Sequence, residues 1–196
     1  LLPHVRGVRS VEELVEMNRL EVDEEVLGGV EADSFWCFSK LLDGMQDMFT
    51  RDQPGIHKML GELETVISRL DDPLARHMEE EGIVISEFAF RWMNCLLVRE
   101  LPHELLIRLW DLYVSNYSRI TRSHVFICAA LLESFSSVLM KLRHEEFITF
   151  MQSMGSGGMW RVDEVDSIIA QGYVYERMFL SSPSHMRSSS AHIFKL

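Results

Sequence analysis

Residues 88–111 read FAFRWMNCLLVRELPHELLIRLWD, and this stretch decides the fold. Phe88 and Trp92 lie four residues apart, a spacing that places both side chains on one face of an α-helix. Pro102 then ends the segment, because proline lacks a backbone N–H and disfavours helical geometry in the residue before it. A second apolar face begins at Leu105. The pattern therefore predicts two helices that meet at a proline corner.

Two tryptophans and one ion pair are expected to shape this corner. Trp92 and Trp110 would anchor the packing of the two helices, since large aromatic side chains contribute much of the buried area in a core. Truncation of a buried Trp110 to alanine would then cost about 3–5 kcal/mol. Arg108 and Asp111 lie three residues apart and are spaced to pair on one side of the second helix. Composition alone is compatible with such a helical pair in any bundle.

Helical periodicity continues on both sides of the corner, and no segment shows the alternation of a strand. The sequence therefore predicts an all-α protein of about seven helices with short connections. Asp72 is predicted to cap a short helix that starts at Pro73. The longer helices are predicted over residues 31–49, 56–70, 86–100, 103–114, 122–142, 144–154 and 163–179.

Composition divides the chain into three parts. Residues 1–30 are predicted to be an acidic connector, or the remnant of a preceding subdomain, which the Gly28-Gly29 pair ends. Residues 31–180 carry the helical pattern and form the domain. Residues 181–196 are rich in Ser and His, and we expect them to be disordered.

The net charge of −11 argues against two classes of partner. Nucleic acid and anionic lipid both need clustered Lys and Arg, so neither is expected. No apolar run is long enough for a membrane-spanning segment. The three cysteines are far apart in the chain, which favours reduced thiols and a cytoplasmic location. The chain opens on Leu1 instead of Met, which favours a fragment of a longer protein.

Motifs for chemistry are absent from the sequence. Its eight histidines and three cysteines lack zinc-ligand spacing, and GSGG at 155–158 lacks the Lys and Ser/Thr of a phosphate-binding loop. Cys95 and Cys128 lie in apolar helical stretches and are predicted to be buried structural thiols. We therefore predict no catalytic, cofactor-binding or metal-binding residue.

The corner resembles the third signature motif of the TBC domain, the all-helical domain of Rab GTPase-activating proteins. The likeness covers roughly residues 21–180 and is to the Golgi-associated branch of these proteins. It implies the C-terminal helical subdomain of a TBC domain, in which the signature residues are mainly structural. They are Phe90, Arg91, Trp92, Leu101, Pro102, Arg108, Leu109, Trp110 and Asp111.

The resemblance implies a GTPase-activating protein for Rab small GTPases, a regulator of vesicle trafficking in the cytoplasm, at the Golgi or other endomembranes. Its partner would be a Rab in the GTP-bound form, which itself holds GTP and Mg²⁺, so no cofactor is expected. The family inserts an Arg from an Ile-x-x-Asp-x-x-Arg motif and a Gln from a Tyr-x-Gln-Gly motif.

Neither of these two motifs occurs in the sequence. We therefore expect that the chain is not an enzyme: it is an activator acting in trans, and inactive as a fragment. The alternative is a catalytically inactive helical module that binds a Rab or another protein.

Overall fold

The structure is a computed structural model that describes residues 24–154 and 160–181. These residues form ten α-helices and no strand, with a 3₁₀ turn at Tyr117–Arg119 between α6 and α7. The helices are α1 Glu24–Leu42, α2 Gln46–Phe49, α3 Pro54–Leu70, α4 Asp72–Glu80, α5 Ser86–Cys95, α6 His103–Ser115, α7 Ile120–Ser134, α8 Ser136–Leu139, α9 His144–Ser153 and α10 Val162–Ser181. The chain divides into two compact units, 1–43 and 44–196.

The predicted all-α class is confirmed, although the described residues contain ten helices instead of about seven. The predicted helix over 122–142 is two helices, because the chain closes a tighter turn at Phe135, whose N–H donates to the Leu132 carbonyl over 3.2 Å. The helix predicted over 86–100 ends at Cys95, since Leu96 and Leu97 adopt left-handed backbone angles.

Helix α1 forms the described part of the first unit. It runs from Glu24 to Leu42 and passes through Gly28-Gly29, where we had expected the glycine pair to end a connector. Glu24 and Glu25 in its first turn favour the helix through the helix dipole. Residues 1–23, 155–159 and 182–196 lie outside the described residues, so the three-part division stays a prediction.

Helix α7 forms the centre of the second unit. Its residues 124–132 are buried without interruption, and it packs chiefly on α3 and α10. A helix that is apolar on every side must be surrounded by other elements, because no face can be left to water. The run HVFICAALL therefore marks the middle of the core.

Gly172 sets the distance between α10 and α7. A Cβ atom at this position would lie 2.9 Å from the Ile127 Cα, which is closer than real side chains approach a backbone. The absence of a side chain thus lets the two helices pack against each other directly.

The cap of α4 differs from the prediction by one residue. The carboxylate of Asp71, not that of Asp72, accepts the Leu74 N–H over 3.0 Å. Asp72 is the first helical residue and pairs instead with Arg76 over 2.7 Å, one turn later. Pro73 lies in the first turn, where its missing N–H is not needed.

Candidate functional site

The nine signature residues lie on α5, on α6 and on the elbow between them. Phe90, Arg91 and Trp92 belong to α5, Leu101 and Pro102 end the elbow, and Arg108 to Asp111 belong to α6. Phe90 is half-buried and its ring contacts the His57 ring edge-on, with 6.4 Å between centroids. The signature is thus one continuous structural feature of the second unit.

The elbow begins with two left-handed residues. Leu96 and Leu97 have φ angles of 48° and 61°. Such angles cost a non-glycine residue on the order of 1 kcal/mol or more. Both side chains are buried, and both N–H groups face the carbonyl of Trp92 in the last turn of α5. Burial of the two leucines is the compensation that holds this turn in place.

Arg91 closes the elbow through Glu100. The Nε of Arg91 donates to Glu100 Oε1 over 2.5 Å, and its Nη2 donates to the Gln152 carbonyl of α9 over 3.2 Å. The Glu100 side chain is fully buried, so this ion pair is its main compensation for lost hydration. The arginine of the signature therefore binds the elbow and α9 together.

A tryptophan outside the signature holds the same corner from the other side. The Trp160 indole N–H lies 2.8 Å from the carbonyl oxygen of Glu100 and 2.9 Å from that of Met154. Its ring packs edge-on against Phe135, with 5.8 Å between centroids. Sequence reasoning did not single out Trp160, because its contact with Glu100 joins residues 60 positions apart in the chain.

A buried histidine joins α5 to α6. The Trp92 carbonyl can only accept, so His124 Nε2 carries the proton and donates to it over 3.0 Å. Its Nδ1 is then free to accept the Tyr113 hydroxyl proton, over 2.5 Å. Burial lowers the pKa of His124 to about 4, although the Trp92 carbonyl opposes part of that shift. The sequence did carry a signal for this residue, because His124 is a lone histidine at the start of an apolar run.

Trp92 and Trp110, which we expected to anchor the packing of the two helices, have separate ring contacts. The Trp92 ring is buried against Phe88, whereas the Trp110 ring is half-buried and packs on Tyr113. The two tryptophan helices are instead connected through Tyr113 and His124. Helical spacing predicted that each residue faces inward but could not show that a histidine on a third helix connects their two helices.

The expected pairing of Arg108 with Asp111 is wrong. Arg108 Nη1 lies 2.7 Å and 3.0 Å from the two carboxylate oxygens of Asp166, 58 residues later on α10. Asp111 is exposed on α6, and Leu109 is the fully buried residue of the Arg-Leu-Trp-Asp segment. Arg108 therefore pairs with a residue on another helix and not with one on its own helix.

Among the described residues of the second unit, one cysteine lies beside a histidine, and this pair is inert. Cys128 Sγ lies 3.3 Å from His124 Nε2, but both residues are fully buried. Burial, with a smaller effect of the Glu100 carboxylate, raises the pKa of Cys128 well above its usual range, so the reactive thiolate is disfavoured. Across residues 24–154 and 160–181, no group of three His, Cys, Asp or Glu side chains could hold a metal ion.

Within the two described stretches of the chain, no helix combines the length and the apolar character that crossing a membrane requires.

Comparison with known proteins identifies the family. The sequence profile of the Rab-GTPase-TBC domain matches residues 17–140, so the chain belongs to that family, and the resemblance is confirmed. It is 35% identical to the GTPase-activating protein gyp1 of Schizosaccharomyces pombe over 167 residues, which are 85% of this chain and 32% of that protein. It is 39% identical to human TBC1 domain family member 22B over 188 residues, covering 90% of this chain and 35% of the relative.

A solved structure agrees with this assignment. The crystal structure of the Ypt/Rab-GAP domain of Gyp1p superposes with a TM-score of 0.75 at 35% identity, and the match covers 81% of this chain and 49% of that chain. The chain thus spans about a third of the length of these relatives and about half of the solved domain.

The comparisons overturn one expectation drawn from the resemblance. We had expected that the chain is not an enzyme, because it lacks the two catalytic motifs. The relatives are named GTPase-activating proteins, and such proteins accelerate GTP hydrolysis, which is an enzyme-like activity. Membership in this family therefore contradicts that expectation.

Proposed function

We propose that this protein is a GTPase-activating protein for a Rab small GTPase. The single observation that supports the proposal most strongly is the match of the Rab-GTPase-TBC profile over residues 17–140. The 35% identical Gyp1p domain, solved as a Ypt/Rab-GAP, supports it with the same helical arrangement. The partner is a Rab in its GTP-bound form, and GTP with its Mg²⁺ is the partner's substrate complex.

The described helices contribute rigidity to this activity. GTP hydrolysis spreads charge over the oxygens of the transferred phosphoryl group, and stabilisation of that charge requires groups that do not reorganise during the reaction. The elbow is built in this manner: the ion pair of Arg91 with Glu100 closes it, and His124 ties it to the central helix. The signature residues are in this proposal positioning residues for the partner-binding surface.

Phosphate release under single-turnover conditions tests the proposal. The 196-residue chain is added to a panel of GTP-loaded Rabs, and we expect faster hydrolysis than the intrinsic rate for at least one of them. Arg91→Ala, which opens the elbow, should lower the acceleration, whereas Arg76→Ala on the exposed face of α4 should leave it unchanged.

Two results would overturn the proposal. Saturable binding of a GTP-loaded Rab without faster hydrolysis would identify a helical module that binds a Rab and does not activate it. No nucleotide-dependent binding to any Rab would place the chain outside Rab regulation. The proposed location, in the cytoplasm at the Golgi or other endomembranes, rests on the resemblance to the Golgi-associated branch. Fluorescence microscopy of the tagged protein against Golgi markers tests it.

A further inference from the structure

A small cleft opens where α6 ends, α7 begins and α10 passes over both. It has a volume of about 160 Å³, enough for one side chain. Its floor includes the apolar Leu112 and Ile127, and Tyr173 stands exposed at its edge. The cleft lies wholly within the second unit and touches none of the nine signature residues.

Two arginines line this cleft with their charge unused. Arg119 and Arg177 are both exposed, and neither guanidinium has an ion-pair or hydrogen-bond partner among the described residues. Each presents N–H groups in a planar fork that matches a carboxylate. The chain as a whole has a net charge of −11, so these two arginines are a local positive charge on an acidic protein.

The cleft also holds a buried acceptor that lacks a donor. Glu176 is only 4% exposed, and its Oε2 accepts the Ser123 hydroxyl proton over 2.9 Å. Its Oε1 has no hydrogen bond, and the nearest cation, Arg122 Nε, is 3.9 Å away. This oxygen is shielded from solvent, so its missing hydrogen bond is a cost within the fold and not a contact point for a ligand.

We propose that this cleft binds a segment of a partner protein through one acidic side chain. The carboxylate of the segment pairs with Arg119 and Arg177, and apolar neighbours of that residue pack on Leu112. This proposal does not depend on the activity toward a Rab.

Charge decides between a peptide and the other anionic partners. A membrane or a nucleic acid presents many negative charges to a chain of net charge −11, and the rest of the surface would repel it. A single carboxylate responds mainly to charges within about 8 Å at physiological salt. A ligand with a single carboxylate therefore gains from the two arginines, whereas a membrane or a nucleic acid does not.

Peptide libraries with a fixed central residue and randomised apolar flanks test the proposal. Three versions carry Glu, Gln or Lys at the centre, and fluorescence polarisation measures the Kd of the selected peptides for the whole chain. We expect selection from the Glu library only. Arg119→Glu and Arg177→Glu should each weaken binding by about tenfold or more, because each removes a charged hydrogen bond.

The matched control is Arg51→Glu. Arg51 is exposed in the turn between α2 and α3, outside the cleft, and its reversal changes the net charge by the same amount. We expect it to leave the Kd unchanged. Equal selection from the Glu and Gln libraries, or equal weakening by Arg51→Glu, would overturn the proposal. Binding of inorganic phosphate or of anionic vesicles, without selection of any acidic peptide, would also overturn the proposal.

Discussion

The Tyr113 hydroxyl on α6 lies 2.5 Å from Nδ1 of His124 on α7. Because the opposite nitrogen of the same ring donates to the Trp92 carbonyl at the end of α5, one imidazole connects both signature helices to the central helix. All three residues are buried. The geometry of the elbow therefore depends on these two buried hydrogen bonds of His124.

Tyr113→Phe should test the strength of this contact. The substitution keeps the ring and removes the donor, which leaves the buried Nδ1 of His124 unsatisfied. We expect a loss of about 1–3 kcal/mol in the free energy of unfolding, measured with urea. Tyr173→Phe is the control, since Tyr173 is exposed and its loss of a hydroxyl should change stability by less than about 0.5 kcal/mol. Equal effects of the two substitutions would show that the contact is not important for stability.

Acid should weaken the fold through His124. Its pKa is about 4 in the folded chain and near 6.5 when unfolded, so between these values only the unfolded chain binds the proton. The stability that comes from a neutral His124 is complete above pH 6.5 and is lost as the pH falls toward 4, up to about 3 kcal/mol. Unfolding of the natural chain and of His124→Gln, compared from pH 7 to pH 4.5, measures this. The stability difference between them should shrink as the pH falls, and a constant difference would contradict the assignment.

Gly172→Ala should force α10 away from α7. The new Cβ would lie 2.9 Å from the Ile127 Cα, a backbone atom that cannot move alone, and we expect a loss of about 1–3 kcal/mol. Gly61→Ala is the matched control: it lies in α3 with nothing within 4 Å of the new Cβ, and should raise stability by up to about 1 kcal/mol. Thermal unfolding of both variants provides the comparison. Opposite signs are expected, and a stabilising Gly172→Ala would disprove the close approach.

Arg91→Ala should be far more harmful than removal of an exposed arginine. It leaves the fully buried Glu100 carboxylate without its cation, which typically costs about 3–5 kcal/mol. Arg76 pairs with Asp72 where both side chains are 65% exposed, so Arg76→Ala should cost less than about 1 kcal/mol. Urea unfolding of the two variants measures the difference. Similar losses would mean that Glu100 is hydrated in solution.

Local periodicity allowed prediction of the all-α class and of the two helices that meet at Pro102. It was less successful at helix ends, as at Cys95, where left-handed Leu96 and Leu97 stop the helix five residues early. Those angles are unfavourable for leucine in isolation, and only burial in the folded chain stabilises them. No pattern in the neighbouring residues could have revealed them.

The partners of the signature residues show the same division. The sequence by itself determined which faces are apolar, because helical spacing depends only on neighbours within a turn or two. Only the tertiary structure decided that Arg108 pairs with Asp166 and that His124 connects Trp92 to Tyr113. Contacts between residues tens of positions apart depend on how the helices pack, and packing is a property of the whole core, which no short segment specifies.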